Sequence, residues 1–201
     1  MKLKDFTVTV YYDYLCPWCY LGQIAAKRLQ YEYCAQIDWR PLLLHPEIPP
    51  EGMRMTPEEK ASKADMYERV SRMAKVNGLP ITFPGHMVYT KLALEATEYA
   101  REQGRLLPFN EAVFKKLFGE GKDIGNWDVL SSAAEEAGLS GEEMRRMTQS
   151  GRYAAAIDKY TLEAQQRDID SLPTYILNDA YAVVGPQPFE VFQLVIEKLV
   201  Q

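Results

Sequence analysis

Two cysteines separated by two residues, in Cys16-Pro17-Trp18-Cys19, are the side chains of this sequence best suited to chemistry. A thiol attacks only as its thiolate, and the start of a helix favours that form through unpaired backbone N–H donors and the positive end of the helix dipole. Such placement lowers a thiol pKa from about 8.5 to roughly 3.5–7.5. Pro17 fits the first position of a helix, where a missing N–H costs nothing. Cys16 therefore stands at the helix start, and Cys19 lies one turn up, within reach for a disulfide. The chemistry this spacing suits is thiol–disulfide exchange. Cys16 attacks to form a mixed disulfide and Cys19 resolves it, or the same steps run in reverse.

Other readings of these residues stand beside that one. C-x-x-C is also half of a zinc site, with Cys34 and His45 as completing ligands. If residues 19–34 form one helix, however, a rise of about 1.5 Å per residue separates Cys19 from Cys34 by roughly 22 Å, so no metal is expected. A buried structural pair of cysteines is the second alternative. Trp18 either caps the helix apolarly or shapes a substrate surface beside Cys16. Asp13, three residues before Cys16, reads as a solvated carboxylate at a strand end, with modulation of the thiol as the other reading. Cys34 reads as a small core or boundary residue, and His45 and His86 as structural histidines in turns. Met53, Met55, Met66, Met73 and Met87 read as core filler, or as an adaptable binding surface.

The elements that must position the cysteines follow from periodicity. Phe6 to Tyr12 is β-branched and aromatic and predicts a strand. Tyr20 to Tyr33 carries apolar residues at helical spacing. Ile37 to Leu44 predicts a second strand, at a sheet edge or with a bulge because of Pro41. Beyond the proline-rich break at 45–52, six helices are predicted: Pro57 to Asn77, Tyr89 to Gln103, Pro108 to Phe118, Trp127 to Ala137, Gly141 to Ser150 and Arg152 to Arg167. Glycines mark their joints. Leu172 to Leu177 and Ala180 to Val184 predict a hairpin turned at Asn178-Asp179, and a last helix follows Pro186-Gln187-Pro188. A βαβ unit at one end and a ββα unit at the other suggest one α/β fold split by an insertion.

Composition narrows the function classes. With 201 residues, 47% of them hydrophobic, the chain suffices for one well-buried domain carrying an insertion. Three cysteines are too few, and odd in number, for a disulfide framework. A net charge of -5 gives no long-range attraction to nucleic acid or an anionic membrane, so neither is expected as a partner. No apolar run approaches a membrane span. Met1 to Phe6 leads straight into strand-like sequence with no secretory pattern, and the expected location is cytoplasmic.

The motif and its surroundings resemble the DsbA-like branch of the thioredoxin superfamily, most closely its FrnE-like dithiol oxidoreductases. These share a fold with 2-hydroxychromene-2-carboxylate isomerases and kappa-class glutathione transferases. The resembling stretches are Asp13 to Gly22, Trp39-Arg40-Pro41-Leu42 with Leu44, Thr90 to Gly104, Phe109 to Gly125 and Leu172 to Phe192, in family order. The resemblance implies a thioredoxin fold interrupted by a large all-helical insertion, with thioredoxin elements at about 1–46 and 150–201 and the insertion at about 47–149. It implies Cys16 and Cys19 as the catalytic pair, with Pro17 and Trp18 beside the substrate. It also implies a cis-proline at Pro173, where Leu172 pairs its backbone with an extended peptide or glutathione, while Pro173 keeps competing metals and thiols from the cysteines. Asp170-Ser171-Leu172 departs from the glycine-valine or similar pair usual before this proline, which bears on substrate preference and not on the fold.

The expected function is thus an enzyme, a thiol–disulfide oxidoreductase acting on protein or small-thiol disulfides. It needs no cofactor beyond its dithiol, with glutathione as a candidate co-substrate. No histidine lies between the cysteines, unlike the strongly oxidising DsbA proteins, so a less oxidising couple is expected. Two alternatives are a glutathione-dependent isomerase or transferase, whose members typically carry serine at the first cysteine position, and a non-catalytic thioredoxin-like binding or chaperone module. Oligomeric state is not legible.

Overall fold

The computed structural model describes residues 5–200. Residues 1–4, which open the stretch read above as free of a secretory pattern, and residue 201 lie outside them.

Strand β1 (Thr7–Tyr12) is an inner strand of the four-stranded sheet. It pairs in parallel with β2 (Gln36–Pro41) and antiparallel with β5 (Thr174–Leu177), which pairs antiparallel with β6 (Tyr181–Val184). The sheet order is β2-β1-β5-β6, which puts Pro41 at the end of an edge strand, where its missing N–H breaks no ladder. The hairpin turns at Asn178 and Asp179, both at positive φ (48° and 57°), a conformation these two residue types tolerate better than most. Helix α1 (Pro17–Tyr33) connects β1 to β2. It ends on Cys34 in the left-handed region (φ 59°), and Ala35 N–H donates to the Leu29 carbonyl at 3.3 Å. Cys34 is exposed there, not in the core or at its boundary as expected.

Between β2 and β5 the chain is mostly helical. Helix α2 (Pro57–Val76) starts on a full capping box, in which Thr56 and Glu59 satisfy each other's backbone N–H, with Pro57 at its first position. Then come α3 (Lys91–Glu102), α4 (Leu106–Phe114), α5 (Trp127–Glu136), α6 (Gly141–Gln149) and α7 (Ala154–Gln166). Helix α8 (Phe189–Leu199) closes the fold, its Phe192 meeting Tyr175 of β5 edge-on at 5.0 Å. Two features are additional to the predicted helices. A two-stranded antiparallel sheet joins β3 (Met53–Arg54) to β4 (His86–Met87). The last turn after α4, Lys115–Gly119, widens into a π-helix, and its Phe118 carbonyl accepts from Thr82 N–H at 2.5 Å.

The core joins the helical body to the sheet through aromatic rings. Tyr12 meets both Trp39 and Tyr14 edge-on at 5.4 Å, and Phe114 of α4 lies 4.8 Å from Tyr14. Such pairs add about 0.5–1.5 kcal/mol each to plain burial. The Tyr14 hydroxyl is itself buried against the Thr97 hydroxyl at 2.6 Å, fixing α3 to the strand end from which the cysteine motif leaves.

Candidate active site

The cysteine motif leaves the C-terminal end of β1. Cys16 holds extended backbone angles (φ -83°, ψ 110°) at the cap position of α1, Pro17 follows inside the helix, and the Cys16 carbonyl accepts from Cys19 N–H at 3.0 Å. Both cysteines are free thiols. Cys16 is 7% exposed and Cys19 only 1%, so just one of the two sulfurs is presented to a reactant.

Their electrostatics diverge accordingly. The Cys16 thiol is held below the ordinary range, chiefly by a hydrogen bond from the Cys19 thiol, with the N–H groups of Cys19 and Trp18 adding to it against the cost of burial. Cys19 is pushed well up by its burial and by the charge its neighbour acquires. Before ionisation the Cys16 thiol points at the Leu172 carbonyl, 3.5 Å away. The Leu172–Pro173 peptide bond is cis. Leu172 thus lies against Cys16, although the two are more than 150 residues apart in sequence, and Pro173 follows it against Gly22 of α1.

Gly22 lets α1 come this close. A Cβ there would stand 3.0 Å from Pro173 Cγ and nearer still to the Tyr175 hydroxyl, which donates to the Gly22 carbonyl at 2.8 Å in a fully buried contact. Alanine gains about 1 kcal/mol over glycine inside a helix, but overpacking costs about 1–3 kcal/mol and the strained hydrogen bond about 1 more. Gly22→Ala is therefore expected to lose a net 1–3 kcal/mol or so in urea unfolding. Unchanged stability would contradict this contact.

Asp13 is not the solvated carboxylate expected from the sequence. It is fully buried, and it accepts from Leu15 N–H at 3.0 Å and Leu44 N–H at 2.7 Å. One carboxylate thereby ties the turn before Cys16 to the chain leaving β2. Burial raises its pKa, opposed by those two bonds, by Thr90 and by His45.

Cys16, Pro17 and Trp18 form one wall of a cleft of about 140 Å³. Met55, Met66, Tyr67, Phe83, Met87 and Phe118 supply much of the rest, so three of the five methionines singled out in the sequence gather beside Cys16. Met53 packs behind Met55 and Met87, while Met73 lines a different surface. His45 and His86 both reach the cleft, each paired to a carboxylate: His45 to Glu47 at 2.7 Å, His86 to Asp123 at 3.1 Å. Lys63 of α2 also lines it. Beyond Pro17 and Trp18 of the motif, methionine clustering was the sequence signal for this lining, because the residues come from separate elements. Among the described residues no three histidine, cysteine or acidic side chains cluster as a metal site, and no helix is long and apolar enough to cross a membrane.

Comparison with known proteins agrees with this architecture. A Bacillus subtilis protein, YwbO, is 30% identical over 190 residues, covering 92% of this chain and 93% of that one. A 2-hydroxychromene-2-carboxylate isomerase of Sphingobium xenophagum is 26% identical over 180 residues, covering 86% and 89%. Among solved structures, the probable DsbA oxidoreductase SCO1869 of Streptomyces coelicolor superposes with a TM-score of 0.85 at 22% identity, over 96% of this chain and 89% of that one. The profile of the DSBA-like thioredoxin domain matches residues 7–197, nearly the whole chain, and the protein belongs to that family.

Proposed function

We propose that this protein is a thiol–disulfide oxidoreductase in which Cys16 attacks a substrate disulfide and Cys19 resolves the mixed disulfide. The observation that carries the reading is the asymmetry of the pair: both thiols are buried, but Cys16 at the start of α1 keeps an exposed edge of 7% and is held low, whereas Cys19 one turn later is 1% exposed and held high. The Cys16 thiolate displaces one substrate thiolate. Cys19 then gives up its proton, attacks Cys16 and displaces the second, so two electrons pass from the dithiol to the disulfide. Trp18 and Pro17 flank the reacting sulfur, and Leu172 and Pro173 form its other side. No metal or bound cofactor takes part, and glutathione serves as a co-substrate that restores the dithiol.

The working compartment in this proposal is the cytoplasm. Cys34 is an exposed free thiol, which an oxidising compartment would leave open to pairing between molecules. A reducing glutathione pool would keep the resting enzyme as the dithiol and favour reduction over net disulfide formation.

Equilibration in glutathione redox buffers tests the reading. A single two-electron transition between Cys16 and Cys19 is expected, at a potential more reducing than the roughly -120 mV of DsbA. Cys19→Ser should accumulate a mixed disulfide on Cys16. If no disulfide joins the pair at any poise, or if Cys16→Ser keeps a glutathione-dependent isomerase turnover, the proposal fails.

A further inference from the structure

The cleft over Cys16 has a definite size and charge. Its volume, about 140 Å³, is close to that of a cavity that takes one benzene ring. Its walls are thioethers and aromatic faces, among them Tyr67 and Phe83 stacked at 4.0 Å with planes 17° apart. The helical body and the β3–β4 pair leave Cys16 only 7% exposed. A space of this volume with these walls suits one compact apolar group bonded to the sulfur that Cys16 attacks.

The charges point the same way. No carboxylate lines the cleft. His45 and His86 are already engaged with Glu47 and Asp123. Asp13 lies behind the cysteine motif, with both oxygens engaged by backbone N–H groups. Lys63 is half-buried at the cleft and takes part in none of the ion pairs among the described residues. Arg69, on the same helix, is exposed, its guanidinium 5.9 Å from the Trp18 ring. A half-buried ammonium on an apolar wall gains most from an anion that arrives with its own apolar body.

We infer that the substrates of this site are small anionic thiols and their disulfides, each carrying a ring-sized apolar group beside the sulfur, and that Lys63 selects them by pairing with their negative charge. This rests on the exchange chemistry proposed above and adds its substrate class. In the forward direction the Cys16 thiolate attacks one sulfur of such a disulfide and displaces the other as an anionic thiolate. Cys19 attacks Cys16 and releases the second, and the Cys19 proton passes to solvent or to the departing thiolate. The dithiol is oxidised and one disulfide is reduced to two thiols.

Stopped-flow oxidation of the reduced protein, in a Cys34→Ser background, tests the inference with two aromatic disulfides of similar size. One is the dianionic dithiobis(nitrobenzoate), the other neutral dipyridyl disulfide. The readout is the ratio of their second-order rate constants, which cancels general changes in Cys16 reactivity or in folded fraction. Lys63→Gln is expected to lower the anionic-to-neutral ratio about fivefold, the scale of one partly exposed ion pair, and Lys63→Glu to lower it further. Met66→Trp, which fills the cleft, should slow both aromatic probes relative to methyl methanethiosulfonate. A ratio that stays within twofold of the parent in Lys63→Glu overturns the charge selection, and unaltered aromatic rates in Met66→Trp overturn the size selection. If neither aromatic disulfide oxidises the Cys16–Cys19 pair at all, the exchange chemistry itself fails, a result distinct from either.

Discussion

Replacing Cys16 with alanine is expected to abolish disulfide exchange, a loss of about a thousandfold or more, because no other thiol can take its place as nucleophile. Cys19 remains in that variant, but it is 1% exposed and lies behind the position Cys16 vacates. Its pKa is pushed well up largely by that burial, so its thiolate is scarce at neutral pH. Cys34 is accessible but sits at the other end of α1, away from the cleft. The measurement is turnover of a small disulfide with excess reductant, in a Cys34→Ser background so that only the paired thiols are counted. Alkylation gives a second view of the same asymmetry. Iodoacetamide should modify Cys16 first, with a rate profile centred below the pH of an ordinary thiol, the direction set by the Cys19 hydrogen bond and the N–H donors of the helix start. Activity within tenfold of the parent in Cys16→Ala, or first modification at Cys19, would reverse the roles given to the two cysteines.

What the sequence discloses is local, and what it hides is assembled from a distance. The position of Cys16 was legible because Pro17 at a helix start and the β-branched run before it fix that residue at a strand-to-helix junction with no help from the rest of the chain. The start of α2 at Pro57 was legible for the same reason, since Thr56 and Glu59 form a cap between residues three apart. The β3 and β4 strands were not. Two residues each carry no periodicity, and they pair across more than thirty residues. The π turn after α4 continues the same apolar pattern as an α-helix and differs only in its hydrogen bonding, which Thr82 helps to set from outside. Asp13 is the clearest case. A carboxylate at the end of a strand looks solvated until the Leu44 N–H, thirty-one residues on, closes over it. The cleft was hidden likewise, because its lining comes from the motif loop, the chain after β2, α2, the β4 region and the π turn.

Asp13→Asn is expected to move the Cys16 titration to lower pH and to remove one component of the protein's pH-dependent stability. The ionised carboxylate lies behind the motif and opposes negative charge on both sulfurs, raising the pKa of Cys16 and of Cys19. Asparagine keeps the volume and one acceptor but no charge, so the Cys16 thiolate forms more readily, a shift that ultraviolet thiolate absorbance follows directly. The stability effect has the opposite sign to that of most carboxylates. Burial holds the Asp13 carboxyl above its ordinary value, so the folded protein keeps this proton at a pH where the unfolded chain has lost it. Above the unfolded value of about 3.9, the contribution of Asp13 to stability falls as pH rises, until its folded pKa is passed. Carboxylates paired to cations, such as Glu120, Glu136 and Asp179, have depressed pKa values and lose stability on acidification instead. They are common to both proteins, so the difference between parent and Asp13→Asn in urea unfolding at stepped pH isolates Asp13. That difference should favour the parent increasingly as the pH is lowered from above the folded pKa of Asp13 toward the unfolded value of about 3.9. A thiolate stabilised by the substitution also stabilises the reduced dithiol over the disulfide, which makes the couple more oxidising. The same variant therefore has to shift the glutathione midpoint toward oxidation. A Cys16 titration that rises, or a midpoint that moves toward reduction, would mean that Asp13 acts on the cysteines through the backbone it ties down and not through its charge.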